Sequence, residues 1–418
     1  MNLPKYSIGT GDRFGHQGAA QLAAIMKGRE DGLDLGIVWN KSHREHTIIG
    51  SVPADVKEAA KAAVDKLAYD GPWFMDADHI GLKNVELFME SSNFFTLDVA
   101  DYVGEKAATE EIENFISDCQ KYLGKITIPG IEKDINISAT ELERITETYL
   151  EAVIQAGAIY QLITEKKGIG TFITEVSMDE TELPQTPAEI FIILFMIARQ
   201  KIPAQTIAPK FSGRFNKGVD YVGEVKEFAQ EFKEDLAVLE YAKKEFGLPE
   251  SLKISIHSGS DKFSIYTPIQ KILQESGAGI HIKTAGTTWL EELIGLAEAD
   301  GVGLSIAKRI YIESLSRLEE LCSPYSTVLD IDTTSLPAAS EIESCTAEQY
   351  ASRLRHELDC SSYNLHFRQL LHVGYKIAAE MGAEYTEALI KFSAIISTNV
   401  TNNLYERHIR RIFPVHSN

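Results

Sequence analysis

KISIHSGSDKFSIYTPIQKILQESGAGIHIKTAGTTWLEEL, residues 253–293, decides the fold. It holds two short β-like runs, KISIH and GIHIK, each ending in polar residues and separated by a helix-like segment. Strand, helix and strand in that order point to a parallel pair joined by a crossover helix.

The alternation continues outward. GPWFMDADHI (71–80), NFFTLD (93–98), GTFITEVSMDE (170–180), QTIAPKFSG (205–213) and STVLDID (326–332) read as further strands. Amphipathic helices are expected over 54–69, 139–165, 223–246 and 383–412. Thr186, Pro187 and Glu189 supply a capping side chain, a first-turn proline and the partner acid of a capping box for a buried helix over 190–198.

The strand interiors are rich in Ile, Val and Phe without strict alternation, as strands buried on both faces should be. With about eight strand candidates, the expectation is an α/β fold, a (β/α)8 TIM-barrel-like domain with helical insertions. An open doubly wound sheet is disfavoured, because no G-X-G-X-X-G follows a strand and the GTG at 9–11 lacks its third glycine. Neither repeat nor linker divides the chain. One catalytic domain over 1–418 is expected, with a helical insertion near 105–167 and C-terminal helices over 365–412.

The 41 basic and 61 acidic residues leave a formal charge of -20, which argues against nucleic acid and anionic membranes as partners. An acidic substrate would need a local cluster of cations. The four cysteines lack Cys-X-X-Cys spacing and fit reduced thiols of a cytoplasmic protein. The opening MNLPKYSIGTGDRFG has no apolar run after a basic start, so export is not expected, and the most apolar segment is about half the ~20 residues of a membrane span. A homo-oligomer is compatible with all of this.

In a parallel barrel the C-terminal ends of the strands share one mouth, and there the chemistry is sought. His79, His257 and His281 fall at such ends. One histidine alone is more often a hydrogen-bonded structural residue. Three imidazoles would hold Zn, Mn, Ni or Co and leave coordination positions open. Asp78 and Glu175 are the candidate proton-transfer pair, whereas Asp179 and Glu180 read as solvated loop charges. Lys210, Arg214, Lys262 and Lys283 are candidate substrate-binding cations, with Asp12 and Asp261 as further substrate ligands. Lys283 lies two residues beyond His281, so strand periodicity aims both at one face. The SGSDK turn at 258–262 is a candidate anion site without the spacing of a nucleotide loop. His43, His46, His356 and His416 show no comparable placement.

IGTGDRFG (8–15), DADHI (76–80), TEVSMDETELPQTP (174–187), FNKGVDY (215–221), KISIHSGSDKFSIY (253–266), HIKTAGTTWLEEL (281–293) and RQLLHVGYK (368–376) together resemble the tagaturonate epimerase family. The resemblance implies metal-dependent interconversion of tagaturonate and fructuronate in hexuronate breakdown, and relatives act on tagatose and fructose. It implies His79, His257 and His281 as metal ligands, Asp78 as proton acceptor and Glu175 as proton donor. Relative to longer members, the chain starts almost at the GTGD motif. It also reads LDVADY at 97–102 where some relatives carry a histidine after the second aspartate, so Asp98 and Asp101 are secondary candidates. The same groups would suit a metal-dependent aldolase or isomerase of a related ketose or sugar acid, or a non-catalytic sugar-acid-binding protein.

Overall fold

The chain lays down β1 (Tyr6–Thr10), β2 (Leu35–Ser42), β3 (Trp73–Ile80), β4 (Phe94–Asp98), β5 (Gly124–Ile126), β6 (Ile135–Ile137), β7 (Ile173–Ser177), β8 (Thr206–Ala208), β9 (Lys253–His257) and β10 (Ile280–Lys283). This computed structural model describes residues 1–415 except Glu180, Glu182 and Ala285. All but β5 and β6 close into a parallel barrel in the order β1-β10-β9-β8-β7-β4-β3-β2, and β5 and β6 form a separate antiparallel pair. The expected barrel is therefore observed, with one expected strand absent and two others in the ring. STVLDID is no strand: its first residues end a short helical turn, Ser323–Val328, and a closed barrel leaves no edge for it to join. β1 and β2 take the remaining places. β1 was hard to read because its inward positions are Ser7 and Gly9, which leaves little apolar signal.

Two faces of each strand do different work. Ile8, Ile37, Ala77, Leu97, Val176, Ile254, Ile256 and Ile282 are buried outward against the helices in one continuous core. Inward, Leu3, Val38, Phe74, Phe94 and Ile173 form a separate buried cluster that plugs one end of the barrel. Two residues further along the strands the inward positions turn polar: Asn40 pairs in register with Asp76, Thr96 with Glu175, and Lys283 with His257. An apolar floor thus supports a charged layer nearer the mouth.

The Thr186 capping box is present, Glu189 N donating to Thr186 Oγ1 at 3.3 Å and Thr186 N to Glu189 Oε2 at 2.7 Å. The expected helix at 139–165 runs over Ala139–Lys167. The one expected over 383–412 is broken into Ala383–Lys391, Ser393–Asn402, a π-helical turn, Asn403–Ile409, and a last short turn, Arg410–Ile412. Among the described residues no helix is long and apolar enough to cross a membrane.

The C-terminal helices are tied to the barrel by a buried ion cluster. Arg368 donates to Asp261 Oδ2 at 2.7 Å, to Leu354 O at 2.6 Å and to Gly218 O at 2.5 Å. His356 Nδ1 and His408 Nε2 each lie 3.3 Å from Asp261, whose side chain is fully buried. Burial raises the Asp261 carboxyl, but the Arg368 charge and the two histidines hold it well below its usual range. Asp261 therefore faces the helices, which corrects its expected role in substrate binding. Lys262 is likewise buried, donates to Ser260 Oγ and Asp261 O, and is pushed down to about 7 by burial.

Arg368→Leu should cost about 3–5 kcal/mol, because it strands a buried carboxylate. Adding Asp261→Leu should recover part of that loss in urea unfolding, since the two residues act as one unit.

Candidate active site

Lys283 organises the charged layer. Its Nζ lies 2.8 Å from Asp76 Oδ2, 3.0 Å from Asp78 Oδ1, 2.8 Å from Glu175 Oε1 and 2.5 Å from Thr96 Oγ1. Burial alone would discharge the amine, but the three carboxylates hold it well above its ordinary value. In return, Asp78 and Glu175, which burial would raise, are kept low chiefly by the Lys283 charge. Asp76 is the exception, pushed by burial up to about 6 despite Lys283. Lys283 is thus spent on internal carboxylates, which corrects the expectation that it meets the substrate.

Two histidines sit at the mouth side of this layer. His79 has φ +55, an uncommon conformation for a residue with a Cβ, next to the register shift between Ala77 and Ile80 on β3. Its Nδ1 lies 2.9 Å from Asp78 Oδ1, and its Nε2 lies 3.7 Å from Asp179 Oδ1. His257, at the end of β9, has Nε2 2.8 Å from Glu175 Oε1. Its Nδ1 lies 3.1 Å from Asp179 Oδ2 yet makes no hydrogen bond there. Burial lowers both imidazoles, but Asp78 beside His79 and Asp179 beside His257 raise them, His257 to about 9.

One ligand atom from each of His79, Asp179 and His257 lies within 4.8 Å of the others. Each ring has its second nitrogen against a carboxylate, the arrangement that fixes tautomer and orientation in histidine metal ligands. The buried Nδ1 of His257, close to a carboxylate but unbonded to it, fits a shared cation. The residues present therefore fit a divalent metal.

His281 is not brought to this group. It points into the barrel beside the apolar floor, with Nδ1 2.9 Å from Ser7 Oγ and its ring 5.4 Å from that of Phe94. Burial lowers it to about 3. It pairs in register with Ser255, two residues before His257 on β9, and that offset takes it below the mouth. Asp179, read from the sequence as a solvated charge, takes its place and is braced by Ser177 Oγ. No spacing rule linked Asp179 to residues on two other strands. Glu180 and His416 lie outside the described residues.

Above the group opens a cavity of about 370 Å³, whose lining includes Asp78, His79, Asp98, Arg13, Arg44 and Lys217 from the barrel strands and the segments that follow them, and Tyr325 and Tyr375 from the C-terminal region. Glu175 is fully buried and reaches this group through Lys283 and His257. Asp101 is exposed on the loop after β4. The other expected substrate residues lie elsewhere. Asp12 accepts from the backbone of Gly15, His16 and Gln17 and shapes the turn after β1. Arg214 is half-exposed, with Asp330 3.5 Å away. Lys210 follows β8 and does not line the cavity, its backbone donating to Gln185. The SGSDK turn uses its own donors internally, Gly259 N and Ser258 Oγ both bonding to Lys283 O.

A family model described as tagaturonate epimerase matches residues 1–416. The tagaturonate/fructuronate epimerase of Thermotoga maritima is 28% identical over 380 residues, 88% of this chain and 72% of its own. The native crystal structure of fructuronate-tagaturonate epimerase UxaE from Cohnella laeviribosi has a TM-score of 0.80 at 23% identity, covering 97% of this chain and 81% of that one. A structure of the same protein complexed with one glycerol gives 0.77 at 24% identity, covering 97% and 82%.

Lys283→Met would leave Asp76, Asp78 and Glu175 buried without their shared cation. Urea unfolding at neutral pH should show a loss of about 3–5 kcal/mol, larger than that of Lys210→Met, whose side chain takes no part in the cluster.

Proposed function

The chain belongs to the tagaturonate epimerase family, and we propose that it interconverts D-tagaturonate and D-fructuronate using a divalent metal held by His79, His257 and Asp179. It is an isomerase of the carbohydrate epimerase kind. The observation that carries the metal is the convergence of two carboxylate-backed imidazoles on one aspartate. The four cysteines are free thiols, which suits a cytoplasmic setting.

In these uronates the inverted carbon is β to the ketone, so its C–H is not acidified and enolisation cannot invert it. Cleavage and re-addition can. A bound divalent ion would supply Lewis-acid polarisation of the substrate carbonyl. Asp78, on the cavity wall and held ionised by Lys283, takes the proton of the hydroxyl on the inverted carbon. The C–C bond toward the ketone then opens, its electron pair passing into an enolate while the hydroxyl carbon becomes an aldehyde. The aldehyde rotates, the bond re-forms on its other face, and a proton returns to the new alkoxide. Glu175, ionised at rest beside Lys283, is the proposed donor of that proton once it has received the one gained by Asp78 through the Lys283 ammonium that bonds both carboxylates; its second oxygen, Oε2, has no hydrogen-bond partner. Lys283 keeps the two carboxylates together without neutralising both.

Chelation should abolish activity, and Mn, Zn, Ni or Co should restore it; full activity in metal-stripped protein would overturn the reading. Elemental analysis separates the ligand sets. Asp179→Ala and His257→Ala should lose the metal while circular dichroism stays native, and His281→Ala should retain it.

A further inference from the structure

A uronate differs from the matching ketohexose in carrying a carboxylate where the sugar has a hydroxymethyl group. Binding it here is not trivial, because the chain carries a net charge of -20 and Asp78 and Asp98 line the same cavity. A cation aimed into the cavity must offset that field. Lys283 and Lys262 are buried in internal bonds, Lys210 and Arg214 do not line the cavity, and Lys217 lines it but already has another contact.

Along with Asp78 and His79, the cavity wall carries two arginines stacked on two tyrosines, and Arg44 lies two residues past Ser42, which pairs in register with Asp78. The guanidinium of Arg13 lies 3.9 Å over the ring of Tyr375, and that of Arg44 lies 4.8 Å over the ring of Tyr325. The tyrosine hydroxyls are 2.9 Å apart, so the two stacks form one unit. The arginines differ in their charge partners. Arg13 Nε donates to Glu45 Oε1 at 2.9 Å, with both side chains largely buried, so its charge is already matched. Arg44 is exposed, and among the described residues no carboxylate lies within ion-pair distance of it.

The backbone under Arg44 is fixed. It sits in the first turn of the helix His43–Ile49, directly after β2, where Ser42 and Glu45 close a capping box. The guanidinium is thus an unmatched, stacked cation on a rigid element, lining a cavity that Asp78 and Asp98 also line. Its planar fork suits a carboxylate, which can accept two parallel N–H bonds. Stacking on Tyr325 limits the rotamers that must be frozen on binding.

We infer that Arg44, held by Tyr325, binds the substrate carboxylate and sets the preference for uronates over neutral ketohexoses. This rests on the substrate class proposed above, with the reacting end of the sugar toward His79 and Asp78 and the acid end toward Arg44.

The test is the ratio of dissociation constants for D-tagatose and D-tagaturonate on the metal-loaded protein, read by calorimetry, alongside the ratio of kcat/KM where both turn over. Arg44→Gln should shrink the preference for the uronate about 10- to 100-fold, the range of a lost hydrogen-bonded charge pair. The kinetic loss should fall on KM. Arg44→Lys should recover part of it. Equal weakening of both sugars, an unchanged ratio, or a wild-type protein that binds the uronate no more tightly than tagatose would each overturn the inference. Tight uronate binding by the wild type without turnover, lost in Arg44→Gln, would uphold Arg44 while refuting the epimerase reading.

Discussion

One buried ammonium decides what the rest of the barrel interior can be. Asp76, Asp78 and Glu175 come from strands β3 and β7, and without a shared cation such carboxylates would repel one another in a medium that solvates them poorly. Lys283 lets them coexist. The consequence reaches the mouth, since Asp78 and Glu175 are the groups that hold the inner nitrogens of His79 and His257 and leave the outer ones to face Asp179. Ammonium, carboxylates, imidazoles and a last carboxylate therefore form alternating shells of charge, each oriented by the one beneath it.

Much of this was legible in the sequence. Strand and helix alternation around residues 253–293 is a local pattern, and it led to the closed parallel barrel. His79, His257, Asp78 and Glu175 were legible because they sit at the ends of readable strands. Long-range pairing was not. Lys283 reads as a cation aimed at a ligand, and only the register with His257 and the reach to β3 and β7 show it consumed internally. Asp179 follows its strand by two residues and looks solvated, although it closes the histidine pair. His281 fails for a simpler reason: two residues along a strand is the distance from the mouth to the barrel floor.

The C-terminal helices were the least legible part, because their relation to the barrel depends on contacts across a hundred residues or more, such as Arg368 with Asp261. They do more than cover the barrel. Tyr375 and the turn carrying Tyr325 bring the aromatic half of the cavity wall, so a site begun on strand ends is completed by a region with no strand in it. The Asp261 cluster ties that region to the barrel, so a residue expected to touch substrate instead helps to anchor part of the cavity wall.

The apolar floor has a consequence for the fate of material inside. Leu3, Val38, Phe74, Phe94 and Ile173 shut one end of the barrel, so a molecule in the charged layer cannot leave through that floor and faces the cavity lined by His79 and the tyrosines. For the cleavage and re-addition proposed above, a blind vessel would turn selectivity into a race between recombination and escape. Its outcome would be governed by the traffic at the doorway as much as by the groups that cut the bond.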